Sequence, residues 1–228
     1  MDRFADREEA GTQLAARLAG TPRTDVIVLA LPRGGVPVAY AVAKRLRAPL
    51  DVLVVRKLGA PGREELAVGA IARGVRVLNE GIVERLGLND DQLAAIANRE
   101  SIEVERRETA YRQGRPAAPV GGHHVMLVDD GLATGATMRA AVQAVKLMAP
   151  KQITVAVPVA PGATCRELRE AGVEVVALHE PENFTAVSEG YRSFPQVKDA
   201  EVIGLLAAAS TVAETLPSPG AAGAQDPS

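Results

Sequence analysis

Val125-Met126-Leu127-Val128-Asp129-Asp130-Gly131-Leu132-Ala133-Thr134-Gly135-Ala136-Thr137 reads as a buried strand, two carboxylates, a small-residue loop and the start of a helix. Four consecutive apolar residues suit a strand covered on both faces. The acids then fall at the carboxyl end of that strand, which is where ligands bind in an open α/β sheet. Carboxylates suit sugar hydroxyls or a metal, and the free backbone N–H groups of a loop and helix N-terminus suit a phosphate. A phosphorylated ribose needs both. Two other phosphate loops fail here: the stretch has no lysine for a Walker A loop and no G-x-G-x-x-G fingerprint.

The same grammar extends outward. Ala10, Leu14 and Leu18 recur at helical spacing, so residues 7–18 are expected to form an amphipathic helix. Apolar runs at 26–31, 52–55, 153–157 and 173–178 read as further buried strands. Helical segments are expected at 39–46, 137–148, 164–171 and 201–208. Strand–helix alternation with right-handed crossovers gives an open, mainly parallel α/β sheet flanked by helices. Residues 67–71 and 75–78 read as short strands about Arg73-Gly74, a candidate hairpin. The charged, glycine-containing segment 56–65 reads as a mobile loop. Asp90 is a candidate cap for a long helix ending near Tyr111, with Arg99, Glu100, Glu103 and residues 105–108 as a solvated charged face. The organisation expected is one domain over residues 1–209. Within it lie a helical insertion at 79–122 and a small loop-rich hood at 179–196. A Pro/Gly/Ala/Ser tail at 210–228 is expected to be disordered.

Composition removes several function classes. The formal net charge is −2 and aromatic residues make up 3%, which supports neither a basic nucleic-acid face nor a stacking platform. No apolar run approaches the roughly 20 residues needed to span a bilayer, and the charged N-terminus has no apolar signal core. The lone cysteine, Cys165, makes neither an intrachain disulfide nor a zinc site, so a cytoplasmic location is expected. Three histidines are poor material for a Ser-His-Asp arrangement; His123 and His124 precede their strand and are expected at the edge opposite the acids.

Residues 125–137 resemble, position class by position class, the phosphoribosyl pyrophosphate motif of the type I phosphoribosyltransferases. The resemblance extends over about residues 26–178. It implies that Asp129 and Asp130 hold the ribose hydroxyls, while Ala133, Thr134, Gly135, Ala136 and Thr137 wrap the 5′-phosphate. Leu31-Pro32-Arg33-Gly34-Gly35 occupies the place of the family's pyrophosphate loop, often built on a cis non-proline peptide. There Gly34 and Gly35 would let backbone approach the ligand, and Arg33 would grip pyrophosphate. Arg56 and Lys57 resemble the basic pair before the family's flexible loop, which would put Arg63, Glu64 and Glu65 on a lid. Arg33, Lys57 and Asp130 are the residues expected to act in catalysis. His179 and Phe184 fall in the hood, which in the family chooses the accepting base.

The resemblance thus implies a transferase acting on phosphoribosyl pyrophosphate and a small-molecule acceptor, without nucleic acid or membrane partners, as a homo-oligomer. Mg2+ is implied, held mainly through the substrate rather than by dedicated protein ligands. The insertion at 79–122 departs from the compact family pattern and could build an interface, cover the site or carry a partner surface. A non-catalytic regulatory protein that binds the same donor is the alternative; a hydrolase of ribose phosphates lacks an evident nucleophile.

Overall fold

A computed structural model describes residues 2–19, 25–182 and 184–214, with side chains through residue 210. From the N-terminus, α1 (Arg7–Ala19) leads into β1 (Val26–Ala30), α2 (Gly35–Leu46) and β2 (Leu50–Val52). Then come β3 (Arg56–Ala60), β4 (Arg63–Ala72), β5 (Val75–Leu78), α3 (Glu80–Leu86) and α4 (Asp90–Arg112). The chain continues through β6 (His124–Val128), α5 (Ala136–Leu147), β7 (Gln152–Val159), α6 (Gly162–Glu170), β8 (Glu174–His179) and α7 (Asp199–Glu214). A parallel sheet takes the order β2-β1-β6-β7-β8, and β3-β4-β5 form a separate antiparallel sheet. Among the described residues no helix is long and apolar enough to cross a membrane.

The apolar runs are explained by burial on both faces. Ile27 and Leu29 of β1, with Val125 and Leu127 of β6, face a core shared with Met138, Val142 and Val145 of α5 and Leu168 of α6. Their alternates, Val28, Ala30, Met126 and Val128, face Leu14 and Leu18 of α1, Val38 and Val42 of α2, and Val202 and Leu206 of α7. One rung crosses four strands in register: Val52 pairs with Ala30, Ala30 with Val128, and Val128 with Ala156. The loops after β1, β2 and β6 therefore leave the sheet at one level.

Four local expectations are revised. The segment 56–65 is not a mobile loop but two strands and a turn, because Leu58 and Ala60 of β3 and Val68 and Ala70 of β4 bury apolar side chains. Strand β2 stops at Val52, and the backbone N–H of Val54 donates instead to Glu108 of α4 at 3.1 Å. Helix α4 is capped by Asn89, not Asp90. The Asn89 Oδ1 accepts from the Gln92 N–H at 2.9 Å and Gln92 Oε1 accepts from the Asn89 N–H at 3.1 Å, a reciprocal box that satisfies two orphan donors. Helix α7 runs to Glu214, into the stretch read as a tail; residues 215–228 lie outside the described residues.

The insertion is fastened to the sheet by buried charge. Glu100 and Glu108 of α4, read as part of a solvated face, are 8% and 4% exposed. They fall in line with Leu93, Ile96, Ala97, Val104 and Tyr111 on the helix's buried side. Asp51 of β2 accepts from Arg112 Nε at 2.9 Å, from Arg73 at the β4–β5 turn, and from the Ala118 N–H at 2.9 Å. Arg112 also donates to Glu108 at 2.7 Å. One buried carboxylate thus ties together β2, the antiparallel sheet, α4 and the segment that returns to β6.

Asp51→Ala leaves two buried guanidiniums without their shared acceptor, a situation that costs about 3–5 kcal/mol. Urea unfolding monitored by circular dichroism is expected to show a loss of that order. A loss below about 1 kcal/mol, the range of an exposed pair, would contradict this account.

Candidate functional site at the carboxyl edge of the parallel sheet

Three segments emerge together from the rung at Val52, Ala30 and Val128. The segment after β1 turns at Pro32-Arg33-Gly34 into α2, with a cis peptide between Pro32 and Arg33. Its Leu31 N–H donates to the Val128 carbonyl at 2.9 Å, so it lies against the loop after β6. Gly34 and Gly35 permit this contact. A Cβ on Gly34 would overlap the Asp130 carboxylate, and one on Gly35 would come within 2.8 Å of the Asp129 Cα and the Val128 carbonyl oxygen. The two glycines serve loop-to-loop packing first, since the neighbour they admit is the acid pair itself.

The two acids have different surroundings. Asp129 is half-buried, and its Oδ1 accepts from the Asp130 N–H at 2.9 Å. Asp130 is 8% exposed, and its Oδ2 accepts from Arg7 Nε at 2.8 Å. Arg7 in turn donates to the Pro195 carbonyl at 2.7 Å and stacks its guanidinium 3.7 Å over the Phe194 ring. The Tyr191 hydroxyl donates to the Asp130 carbonyl. Burial, then the adjacent Asp130 charge, pushes the Asp129 carboxyl well above the usual range. Burial also raises Asp130, with Arg7 pulling the other way.

The loop after β6 ends at Gly135, whose φ of 69° is the left-handed conformation that glycine adopts without a Cβ clash. Helix α5 begins at the next residue with no side-chain cap hydrogen bond. Its first turn therefore presents backbone N–H groups and the positive end of the helix dipole to the sheet edge. Ala133 and Thr134 use their carbonyls inside the protein, accepting from Thr164 Oγ1 at 3.4 Å and from Arg139 at 2.9 Å. The Thr134 and Thr137 side chains are exposed.

The basic pair does not act as a unit. Arg56 and Lys57 are consecutive residues of β3, so their side chains leave opposite faces. Arg56 is drawn to Glu100 of α4 at 2.8 Å. Lys57 lines a cavity of about 520 Å³ together with Ala136, Thr137 and Arg139. Of the two residues expected at pyrophosphate, Arg56 is thus ion-paired with α4 and Lys57 faces this cavity. A second cavity of about 450 Å³ lies on the other side of Val55 and Thr137, which line both. Arg33 lines this one and sits 3.6 Å from Asp199 at the start of α7. Arg63, Glu64 and Glu65 are exposed on β4. His179 ends β8 with its ring 5.1 Å from Phe4, and Phe184 packs on the cluster of Phe4, Val159 and Tyr191.

Several residues at the site escaped the sequence reading. Arg7 sits at helical spacing from Ala10, Leu14 and Leu18, so a cation on the apolar stripe was the available signal. Tyr111, Arg106 and Arg107 line the second cavity from α4, and only the fold brings them there. Cys165 is buried, which pushes its thiol up to about 11, and it takes no part in the site. Among the described residues no group of three or more His, Cys, Asp and Glu side chains is placed to hold a metal.

The family model described as phosphoribosyl transferase domain matches residues 2–191. Over 207 residues the chain is 47% identical to "Putative phosphoribosyl transferase Rv0571c" of Mycobacterium tuberculosis strain H37Rv. It is equally identical to its counterpart MT0597 of strain CDC 1551. Each match covers 90% of this chain and 47% of the relative, so the chain spans about half the length of these curated relatives. The crystal structure of TT1426 from Thermus thermophilus superposes with a TM-score of 0.80 at 43% identity, covering 90% of this chain and 98% of that one. With the acid doublet, the glycine turn and the uncapped helix arranged on one sheet edge, the chain belongs to the phosphoribosyl transferase domain family.

Proposed function

We propose that the chain transfers ribose 5-phosphate from phosphoribosyl pyrophosphate to a nitrogenous base or related small acceptor. The C1–O bond to pyrophosphate breaks, a C1–N bond forms, and the acceptor nitrogen gives up its proton. The observation that carries the reading is the uncapped α5 N-terminus, set one loop away from Asp129 and Asp130 and opening into both cavities. A ligand with a phosphate at one end and vicinal hydroxyls beside it matches that spacing of donors and acceptors.

In this reading Thr134, Gly135, Ala136 and Thr137 cradle the 5′-phosphate, with Ala133 shaping the loop and Lys57 beside it. Asp129 and Asp130 accept from the ribose hydroxyls, and Arg7 holds Asp130 in position. Arg33, with Gly34 and Gly35 behind it, faces the leaving group. Positive charge builds on the ring as the bond breaks, as in glycoside hydrolysis, so the carboxylates stabilise it while the cations take the leaving charge. A magnesium ion fits this donor set through one edge carboxylate, Asp129, with the remaining oxygens coming from substrate and water. Bound, it would neutralise pyrophosphate charge. The setting proposed is the cytoplasm, in keeping with a lone buried thiol.

Incubation with phosphoribosyl pyrophosphate, Mg2+ and a panel of bases is expected to release pyrophosphate with at least one base. Tight donor binding without turnover for any base would instead favour the regulatory alternative. Asp129→Asn is expected to weaken donor binding by about 1.5–3 kcal/mol, the worth of a hydrogen bond to a charged group. Unchanged calorimetric affinity would remove Asp129 from the site.

The same substitution has an opposite effect on stability. A carboxyl whose folded pKa is raised binds more protons folded than unfolded, so its contribution to stability is lost as pH rises from the ordinary value near 4 through the raised one. Asp129→Asn escapes that loss. Its Tm is expected to match wild type near pH 4, to exceed it increasingly as pH rises, and to level off once the raised value is passed; a difference independent of pH would refute the raised carboxyl.

A further inference from the structure

The cavity beside Arg33 is lined by two more guanidiniums, Arg106 and Arg107, neither of which comes from a loop at the end of a strand. Both belong to α4, and their partners explain why they stand ready. Glu103 accepts from Arg106 at 2.7 Å and from Arg107 at 2.6 Å, and these bonds hold its carboxyl down at about 2. One carboxylate is thus shared between two cations. The arginine side chains stay 64% and 41% exposed. Tyr111, four residues after Arg107 and so on the same face, adds a phenol. Burial, then its hydrogen bond to Asp199, pushes that phenol up to about 12, so it remains a donor, at 2.8 Å from Asp199.

Asp199 is the acid that lines this cavity. It lies between Arg33 at 3.6 Å and the Tyr111 hydroxyl. A carboxylate held by a guanidinium and a phenol marks a place where the protein's own anion occupies an anion's position. The rest of the lining is the apolar stretch Leu53, Val54 and Val55, with Leu31, Ala110 and Ile203. A small, multiply charged anion with several oxygens suits such a pocket, because planar guanidiniums engage paired oxygens two at a time. The wall that carries them is not free to drift. Helix α4 is fixed by Arg112 to Asp51, by Glu108 to the Val54 N–H and by Glu100 to Arg56. That last pair turns Arg56 toward α4, and the same helix brings Arg106 and Arg107 to the cavity six and seven residues after Glu100.

We propose that Arg106 and Arg107 of the insertion helix, together with Arg33, hold the pyrophosphate end of the donor, displacing Asp199 as they do so. This rests on the phosphoribosyl-transfer reading and assigns its leaving-group grip to a helix rather than to the loop after the second strand.

The test is calorimetry with two separate probes, pyrophosphate and ribose 5-phosphate, each with Mg2+. It compares wild type, the double variant Arg106→Gln/Arg107→Gln and the single variant Asp199→Asn. Both arginines are exposed and outside the core, and a thermal melt checks that the double variant folds. The double variant is expected to bind pyrophosphate at least tenfold more weakly and ribose 5-phosphate within twofold of wild type. Asp199→Asn is expected to tighten pyrophosphate several-fold by removing the competing carboxylate. If wild type binds both probes and the double variant keeps wild-type affinity for pyrophosphate, the assignment to α4 is overturned while the transfer reading stands. If wild type binds neither probe, the transfer reading falls and this inference falls with it.

Discussion

The carboxylate of Asp51 joins four parts of the chain that are far apart in sequence. It lies in the middle of β2, one residue before the rung that carries the site, and it accepts from Arg73 beyond β4, Arg112 at the end of α4 and the Ala118 N–H on the way back to β6. The antiparallel sheet and the 23-residue helix inserted between two parallel strands also share an apolar core with the parallel sheet, through Leu58, Val68, Leu93 and Val104, and the buried charges add to that contact a fixed direction. Burying four charged groups is expensive unless each is partnered, and here each carboxylate meets two guanidiniums and each guanidinium two carboxylates. The network adds direction more than net stability. Guanidiniums are planar and their bonds directional, so the arrangement fixes the angle at which α4 crosses the sheet edge.

At the other end of that edge, the acid doublet carries the opposite balance. Asp129 and Asp130 are adjacent, one half-buried and one buried, and raised in pKa, with one cation, Arg7, engaging the second of them. A protein selected for stability alone would replace one with an amide. Keeping both makes sense where a ligand's hydroxyls or a cation complete the set. Arg7 opposes the rise of Asp130, and the Phe194 ring and Pro195 carbonyl hold Arg7 in turn. The N-terminal helix and the segment after β8 are thereby coupled to the sugar end of the site, although neither carries a motif.

What could be read from sequence, and what could not, follows from this division. Residues 26–31, 125–128 and 153–157 are apolar runs flanked by glycine, proline or acids, and a run buried on both faces leaves little choice of structure. The doublet and the glycine turns were legible because their chemistry and their place in the strand–loop–helix order agree. Glu100 and Glu108 were misread because a charge on a helix is solvated far more often than buried. Their phase with Leu93, Ile96, Val104 and Tyr111 was the discriminating feature, and it outweighs their residue type. Segment 56–65 misled for a related reason. Its charges and glycines signal a loop, while Leu58, Ala60 and Val68 alternate toward the core, and burial of those side chains decided the outcome. Arg7 carried the same contradiction, a cation in step with Ala10, Leu14 and Leu18. In each case a charged residue in phase with an apolar stripe marked a buried partner elsewhere in the chain.

That pattern also bears on the two basic pairs, Arg56 and Lys57 on a strand and Arg106 and Arg107 on a helix. Once 56–60 is a strand, the side chains of Arg56 and Lys57 leave it on opposite faces. A helix faces no such limit, since residues one apart differ by about 100° and both can reach a cavity that lies along the groove between two turns. Making segment 56–65 ordered and giving α4 the arginines are therefore two halves of one solution. The sheet β3–β4–β5 places Lys57 at the cavity shared with Ala136, Thr137 and Arg139, while Glu100 pairs with Arg56 on the other face. The cations that remain at the far end, Arg106 and Arg107, then sit on an element whose position is set by buried charge rather than by loop closure. Charged groups carried on such an element are oriented before any ligand arrives, the condition in which electrostatic stabilisation gains most.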